Sequence, residues 1–96
     1  MKFEIAPKTT ETRLNWADAR LYCFALNIGG KSGWRLPSKE ELNEIYESDN
    51  DFAKNFYWSS TEFNAYNAWL QLFANGYQNG NDKDSNYYVR AIRSVL

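Results

Sequence analysis

The period of apolar positions changes twice along the chain. Near the start, Phe3 and Ile5 alternate with Lys2 and Glu4 before Pro7 and the Thr9-Thr10 pair break the pattern, so residues 2–14 read as an extended lead-in with a short edge strand. From Asn15 the spacing becomes helical: Trp16, Ala19, Cys23 and Leu26 recur on one face, Asn15 can cap, and Asp18 follows three residues on. The Gly29-Gly30 pair is the expected stop. A second helix is predicted after Pro37, because Ser38 and Glu41 form a capping box and Leu42, Ile45 and Tyr46 make an apolar stripe with Glu40, Glu44 and Glu47 in water. The polar run 48–51 should end it.

From about Tyr57 the pattern turns strand-like. Residues 57–62 and 67–73 are rich in aromatics and bounded by polar, turn-prone residues. In the second run Ala68, Leu70 and Leu72 share one face and Trp69 and Phe73 the other, the signature of a central strand covered on both sides. Residues 74–86, dense in Asn, Asp and Gly, have hairpin or loop composition, and residues 87–93 form the last predicted strand. Helices first and a sheet late in the chain define an α+β order, which many folds share. No internal repeat or low-complexity linker interrupts it.

Composition narrows the functions open to such a fold. At 96 residues the chain suits one domain spanning 1–96, and so small a domain leaves little room for an enclosed active site beside its core. With 44% apolar and 18% aromatic residues it has enough to fold, and a net charge of −1 gives no general attraction to phosphate backbones, so nucleic acid is not an expected partner. There is no histidine, which removes the commonest general base and zinc ligand together, and the lone Cys23 cannot form an internal disulfide. The expectation is therefore a protein without catalytic residues, metal or cofactor. No run has the length of a signal peptide or membrane span, so cytoplasmic synthesis without membrane insertion is expected, with a virion component as one destination.

Several ordered blocks carry a resemblance. Asn15-Trp16-Ala17-Asp18-Ala19, Tyr22-Cys23, Trp34-Arg35-Leu36-Pro37-Ser38 with Glu41-Leu42, Tyr57-Trp58-Ser59-Ser60-Thr61-Glu62, Ala68-Trp69 with Phe73, and Tyr88-Val89-Arg90-Ala91-Ile92-Arg93 occur in sequence. Together they resemble the domain at the C-terminus of the Legionella collagen-like adhesin, a family also common in phage and bacterial proteins. That family is similar to the formylglycine-generating enzyme and C-type lectin-like folds, and the resemblance implies a compact α+β domain of C-type lectin-like fold, two helices flanking a small, mostly antiparallel sheet, with long connections forming a ligand-facing surface. Catalysis does not carry over, because the formylglycine-generating branch uses paired cysteines in its C-terminal half and Cys23 lies in the first predicted helix. Calcium-dependent sugar binding does not carry over either, since the Glu-Pro-Asn and Trp-Asn-Asp elements are missing. The chain is also similar to the variable proteins of diversity-generating retroelements, where adenine-directed mutagenesis leaves a mixture of Asn, Tyr, Ser and Asp like that of residues 63–88.

Residues 63–88 are accordingly the candidate binding segment. Asn64, Tyr66, Asn67, Tyr77, Asn79, Asn81, Asp82, Asp84 and Tyr87 combine rigid amphipathic rings with adaptable hydrogen-bonding groups, which suits a protein or carbohydrate ligand. The competing view is that Asn and Gly serve turns while Tyr packs over the sheet edge. The alternative function is a structural or assembly subunit whose aromatic surface meets other copies or virion neighbours. Elsewhere the expectations are structural. Trp16, Trp58 and Trp69 should be core, Cys23 an inert buried thiol, and one or more of Arg35, Arg90 and Arg93 paired with Glu41 or Glu62. The six carboxylates between Glu40 and Asp51 should form a solvated helix face rather than a cation site.

Overall fold

The computed structural model describes residues 2–95. Strands β1 (Phe3–Ile5) and β2 (Thr12–Leu14) precede helix α1 (Trp16–Ala25), strand β3 (Trp34–Arg35) and helix α2 (Lys39–Glu47). Strands β4 (Phe56–Glu62), β5 (Asn67–Leu72), β6 (Gln78–Asp82), β7 (Tyr87–Val89) and β8 (Ile92–Ser94) follow. The α+β class and the two helices stand, but the expected single sheet is two: a three-stranded one in the order β1-β8-β3 and a five-stranded one in the order β2-β7-β4-β5-β6. All pairings between strands are antiparallel except β4 with β7.

Both ends of the chain thread through both sheets side by side. The long last strand predicted over 87–93 is divided into β7 and β8, because the chain changes sheets at Arg90 and Ala91, both buried. The N-terminal segment makes the same passage in reverse between β1 and β2, and the two are tied where they cross: the Ala6 N–H donates to the Ala91 carbonyl at 2.9 Å and Arg90 Nε donates to the Ala6 carbonyl at 2.7 Å. The lead-in thus supplies an edge strand to each sheet.

The helices begin where their caps require. Asn15 Oδ1 accepts from the Asp18 N–H at 2.9 Å, and at α2 the Ser38 hydroxyl and the Glu41 carboxylate complete the reciprocal box. Helix α1 stops at Leu26, short of the two glycines. Gly29 and Gly30, with φ of +58° and +83°, instead make a tight turn closed by reciprocal Ile28–Lys31 backbone bonds at 3.0 Å.

Alternation along the central strands divides the core in two. Trp58, Ala68, Leu70 and Val89 face α1 and pack with Trp16, Ala19 and Cys23, while Tyr57 and Phe73 sit with Leu42 and Ile45 of α2 and with Phe52. β5 is central in this sense, as its pattern predicts. Trp16 and Trp58 are core, but Trp69 is only half-buried, its ring 5.0 Å from Phe63 and 3.7 Å beneath Lys39 Nζ. β6 was not visible as a strand in the sequence. Its five residues are polar and weak strand formers; pairing with β5 and the bonds from Gln78 Nε2 to the Lys39 carbonyl and Gln71 Oε1 hold it in place.

Candidate recognition surface

The β4–β5 connection is a fixed loop. Asn64 Oδ1 accepts from the backbone N–H groups of Tyr66 and Asn67, both at 2.9 Å, and from Asn67 Nδ2 at 3.0 Å, an arrangement Asn adopts readily in turns. Across from it, the Lys83 N–H donates to the Tyr66 carbonyl and Lys83 Nζ donates to the Ala65 carbonyl and Glu62, each at 3.0 Å. Lys83 Nζ also lies 4.5 Å from the Trp16 ring, anchoring the loop to α1. Next to it, Asp82 Oδ1 accepts from the Asp84 N–H at 2.9 Å in a second turn. With the Tyr66 and Asn67 N–H groups and the Ala65 and Tyr66 carbonyls held this way, the Tyr66 side chain stands out from the body, 81% exposed.

The structure brings together only part of the predicted site. Asn64, Tyr66, Asn67, Asp82 and Asp84 meet at this loop end, since Asn67 lies opposite Asp82 in the ladder. Tyr77 is 56% exposed but sits beyond Leu72, at the other end of the β5–β6 hairpin; the run from Asn67 to Leu72 separates the two ends by about 17 Å. Asn79 and Asn81 pair opposite Leu70 and Ala68 and so lie on the α1 side of the sheet, the reverse of the face bearing Trp69. Asn79 is exposed there. Asn81 and Tyr87 are partly buried framework instead: the Tyr87 hydroxyl donates to Asn81 Oδ1 at 3.0 Å and its ring packs edge-on against Trp58 at 5.0 Å and Phe56 at 5.7 Å. Phe63 was missed by sequence reasoning. Half exposed, it covers Gly80 so closely that a Cβ there would meet its ring at 2.5 Å, and it extends the aromatic surface from Trp69 toward Tyr66.

A second surface was also missed. Leu21 and Phe24, on the side of α1 away from the core, are 67% and 81% exposed, and beside them a groove of about 550 Å³ runs over Trp34 and Leu36 with Arg20 and Arg35 at its margin. The sequence held a signal for it: Leu21 and Phe24, three apart, fall outside the Trp16–Ala19–Cys23 stripe, so α1 is apolar on more than the face its core can use.

The titratable groups serve the scaffold. Burial pushes the Cys23 thiol up to about 12, leaving it protonated at neutral pH. Arg35 grips Glu41 with two bonds, at 2.7 and 2.8 Å, as predicted; Arg93 pairs with Glu4 at 2.8 Å, and Arg90 with Glu11 and Asp51, whereas Glu62 takes Lys83. The acidic stretch from Glu40 to Asp51 therefore gives up Glu41 of α2 and Asp51 of the loop after it to arginines. Among the described residues no group of three or more Asp, Glu or Cys side chains could hold a metal ion.

Glu41 also sets an acid limb of stability. The Arg35 guanidinium, aided by the Ser38 N–H and opposed by burial, holds its carboxyl at about 2, below the ordinary 4.5. A lowered folded-state value stabilises the fold above the ordinary carboxylate range and loses that effect as pH falls toward about 2. Glu41→Gln is expected to lower stability at neutral pH by about 1–2 kcal/mol, the half-exposed Arg35 being screened, and to flatten the acid decline. Urea midpoints of both proteins at neutral pH and near pH 3 check this, since the gap between them should shrink in acid.

The molecule is thus an α+β domain with a rigid core and an outward aromatic loop. The sequence profile of the Lcl C-terminal domain matches residues 4–93, and the chain belongs to that family. A comparison with curated proteins finds no match.

Proposed function

We propose that this is a non-catalytic recognition domain of C-type lectin-like architecture, binding a protein or carbohydrate through the loop end of the 63–88 segment. The observation that carries this is Tyr66, a large ring 81% exposed on a loop whose backbone is already fixed. An exposed aromatic on a mobile loop would lose entropy on binding; here that loss is largely made during folding. Phe63 beside it and the Asn and Asp groups around it supply the apolar contact and hydrogen bonds that a mixed ligand needs. Asn81 and Tyr87 belong to the support, so any diversification of this segment would be confined to positions such as Tyr66, Asn79 and Asp84, whose side chains the fold does not need. Display on a virion or a larger assembly is part of the same proposal.

The test applies labelled domain to an immobilised oligosaccharide panel and to intact bacterial cells. Selective retention is expected, and Tyr66→Ala should weaken it about thirtyfold, the usual effect of truncating a central aromatic anchor. Retention unchanged in both Tyr66→Ala and Phe63→Ala would overturn the proposal.

A further inference from the structure

The groove beside α1 has a chemistry of its own, independent of the loop that carries Tyr66. Single exposed apolar side chains are ordinary on any protein, but Leu21 and Phe24 are adjacent on one helix and border a concavity floored by Trp34 and Leu36. Charge is equally one-sided. Among the described residues no carboxylate lines the groove, and the two cations that do differ in state. Arg35 is committed to Glu41 and to the Ser94 hydroxyl. Arg20 lies over the Trp16 ring at 4.7 Å and, among the described residues, has no carboxylate partner. An exposed guanidinium resting over an indole still has N–H groups free for bidentate bonding to a carboxylate.

We infer that this groove docks an acidic amphipathic segment of a partner protein, whose apolar side chains lie against Leu21, Phe24 and the Trp34 floor while a carboxylate reaches Arg20. A segment fits better than a small solute, because Leu21 and Phe24 project from the rim and offer apolar area outside the concavity as well as within it. A second copy docked by two-fold symmetry fits worse. Such a contact sets the same patch against itself and would bring Arg20 toward its equivalent with no carboxylate in the lining to separate them.

The test uses two synthetic helix-forming peptides of about four turns with the same Leu/Phe stripe, one bearing Glu and the other Lys on its flanks. Each is titrated into the isotopically labelled full chain at about 0.1 M salt, where non-specific attraction is largely screened, and backbone amide shifts are followed. The Glu peptide is expected to shift Ala17, Leu21, Phe24 and Ser60 and to bind at least about tenfold more tightly than the Lys peptide. Phe24→Ser should abolish those shifts, and Arg20→Glu should reverse the preference. Both side chains are exposed, so both variants should keep the wild-type melting temperature. Equal affinity for the two peptides, shifts that avoid the groove, or no shifts would each overturn the inference. So would a wild-type dimer that Phe24→Ser dissolves, since a second copy would then be the occupant.

Discussion

Arg90→Ala is expected to remove about 3–5 kcal/mol of a total stability of about 5–10 kcal/mol for a domain of this size, roughly half of it. Arg90 is only 4% exposed and sits where the two sheets meet. Its Nε donates to the Ala6 carbonyl at 2.7 Å, one terminal nitrogen reaches Glu11 at 3.2 Å and the other Asp51 at 2.8 Å, and the guanidinium lies 4.8 Å from the Phe52 ring. The Tyr57 hydroxyl adds a 2.6 Å bond to the same Glu11 oxygen. Removing the arginine leaves Glu11, itself nearly buried, with one remaining side-chain donor besides Lys8 at 3.6 Å, and leaves the Ala6 carbonyl without its guanidinium partner. Asp51 is mostly exposed and can return to water, so Asp51→Asn should cost far less. Urea denaturation of the three proteins decides it. A loss below about 1 kcal/mol for Arg90→Ala would show that the sheet junction does not depend on this cluster.

Trp58→Ala is expected to cost about 3–5 kcal/mol, by cavity formation rather than by an unpaired charge. Its side chain is fully buried in β4, between α1 and the sheet, with the Tyr87 ring edge-on to it. Its Nε1 donates to the Leu14 carbonyl at 3.0 Å, so the substitution also removes a bond between β4 and the edge strand β2. Trp58→Phe separates the two parts: it retains most of the volume and loses the donor, and should cost about 1–3 kcal/mol. Trp69→Ala should be the mildest of the three, because that ring is half in water. If thermal melts ranked Trp69→Ala worst, the division of the core between the two helices would be wrong.

What could be read from the sequence was what depends on neighbours in the chain. Asn15, Ser38 and Glu41 act on backbone groups three residues away, so both helix starts were legible, as was the alternation of Ala68, Leu70 and Leu72 against Trp69 and Phe73. What depends on partners far along the chain was not. Gln78–Asp82 is a strand because β5 offers it a ladder, the last strand divides because Arg90 is drawn to Ala6 and Glu11, and Arg90 chose Glu11 and Asp51 over Glu41 or Glu62 for the same reason. The candidate site failed in a parallel way. A composition of Asn and Tyr picked out residues 63–88, a stretch that includes the buried strand β5, and it could not tell Tyr66, which projects, from Tyr87, which packs on Trp58, or show that Tyr77 stands at the far end of a hairpin.

That contrast between two tyrosines of one segment gives the most direct test of a scaffold separate from its recognition loop. Tyr66→Ala and Tyr87→Ala are compared for melting temperature and for retention on the ligand that the panel or the cells reveal. Tyr66→Ala should keep its melting temperature within about 3 °C and lose retention, while Tyr87→Ala should melt about 8 °C or more below wild type. A Tyr66→Ala protein that melts early, or one that is retained as strongly as wild type, would contradict the account.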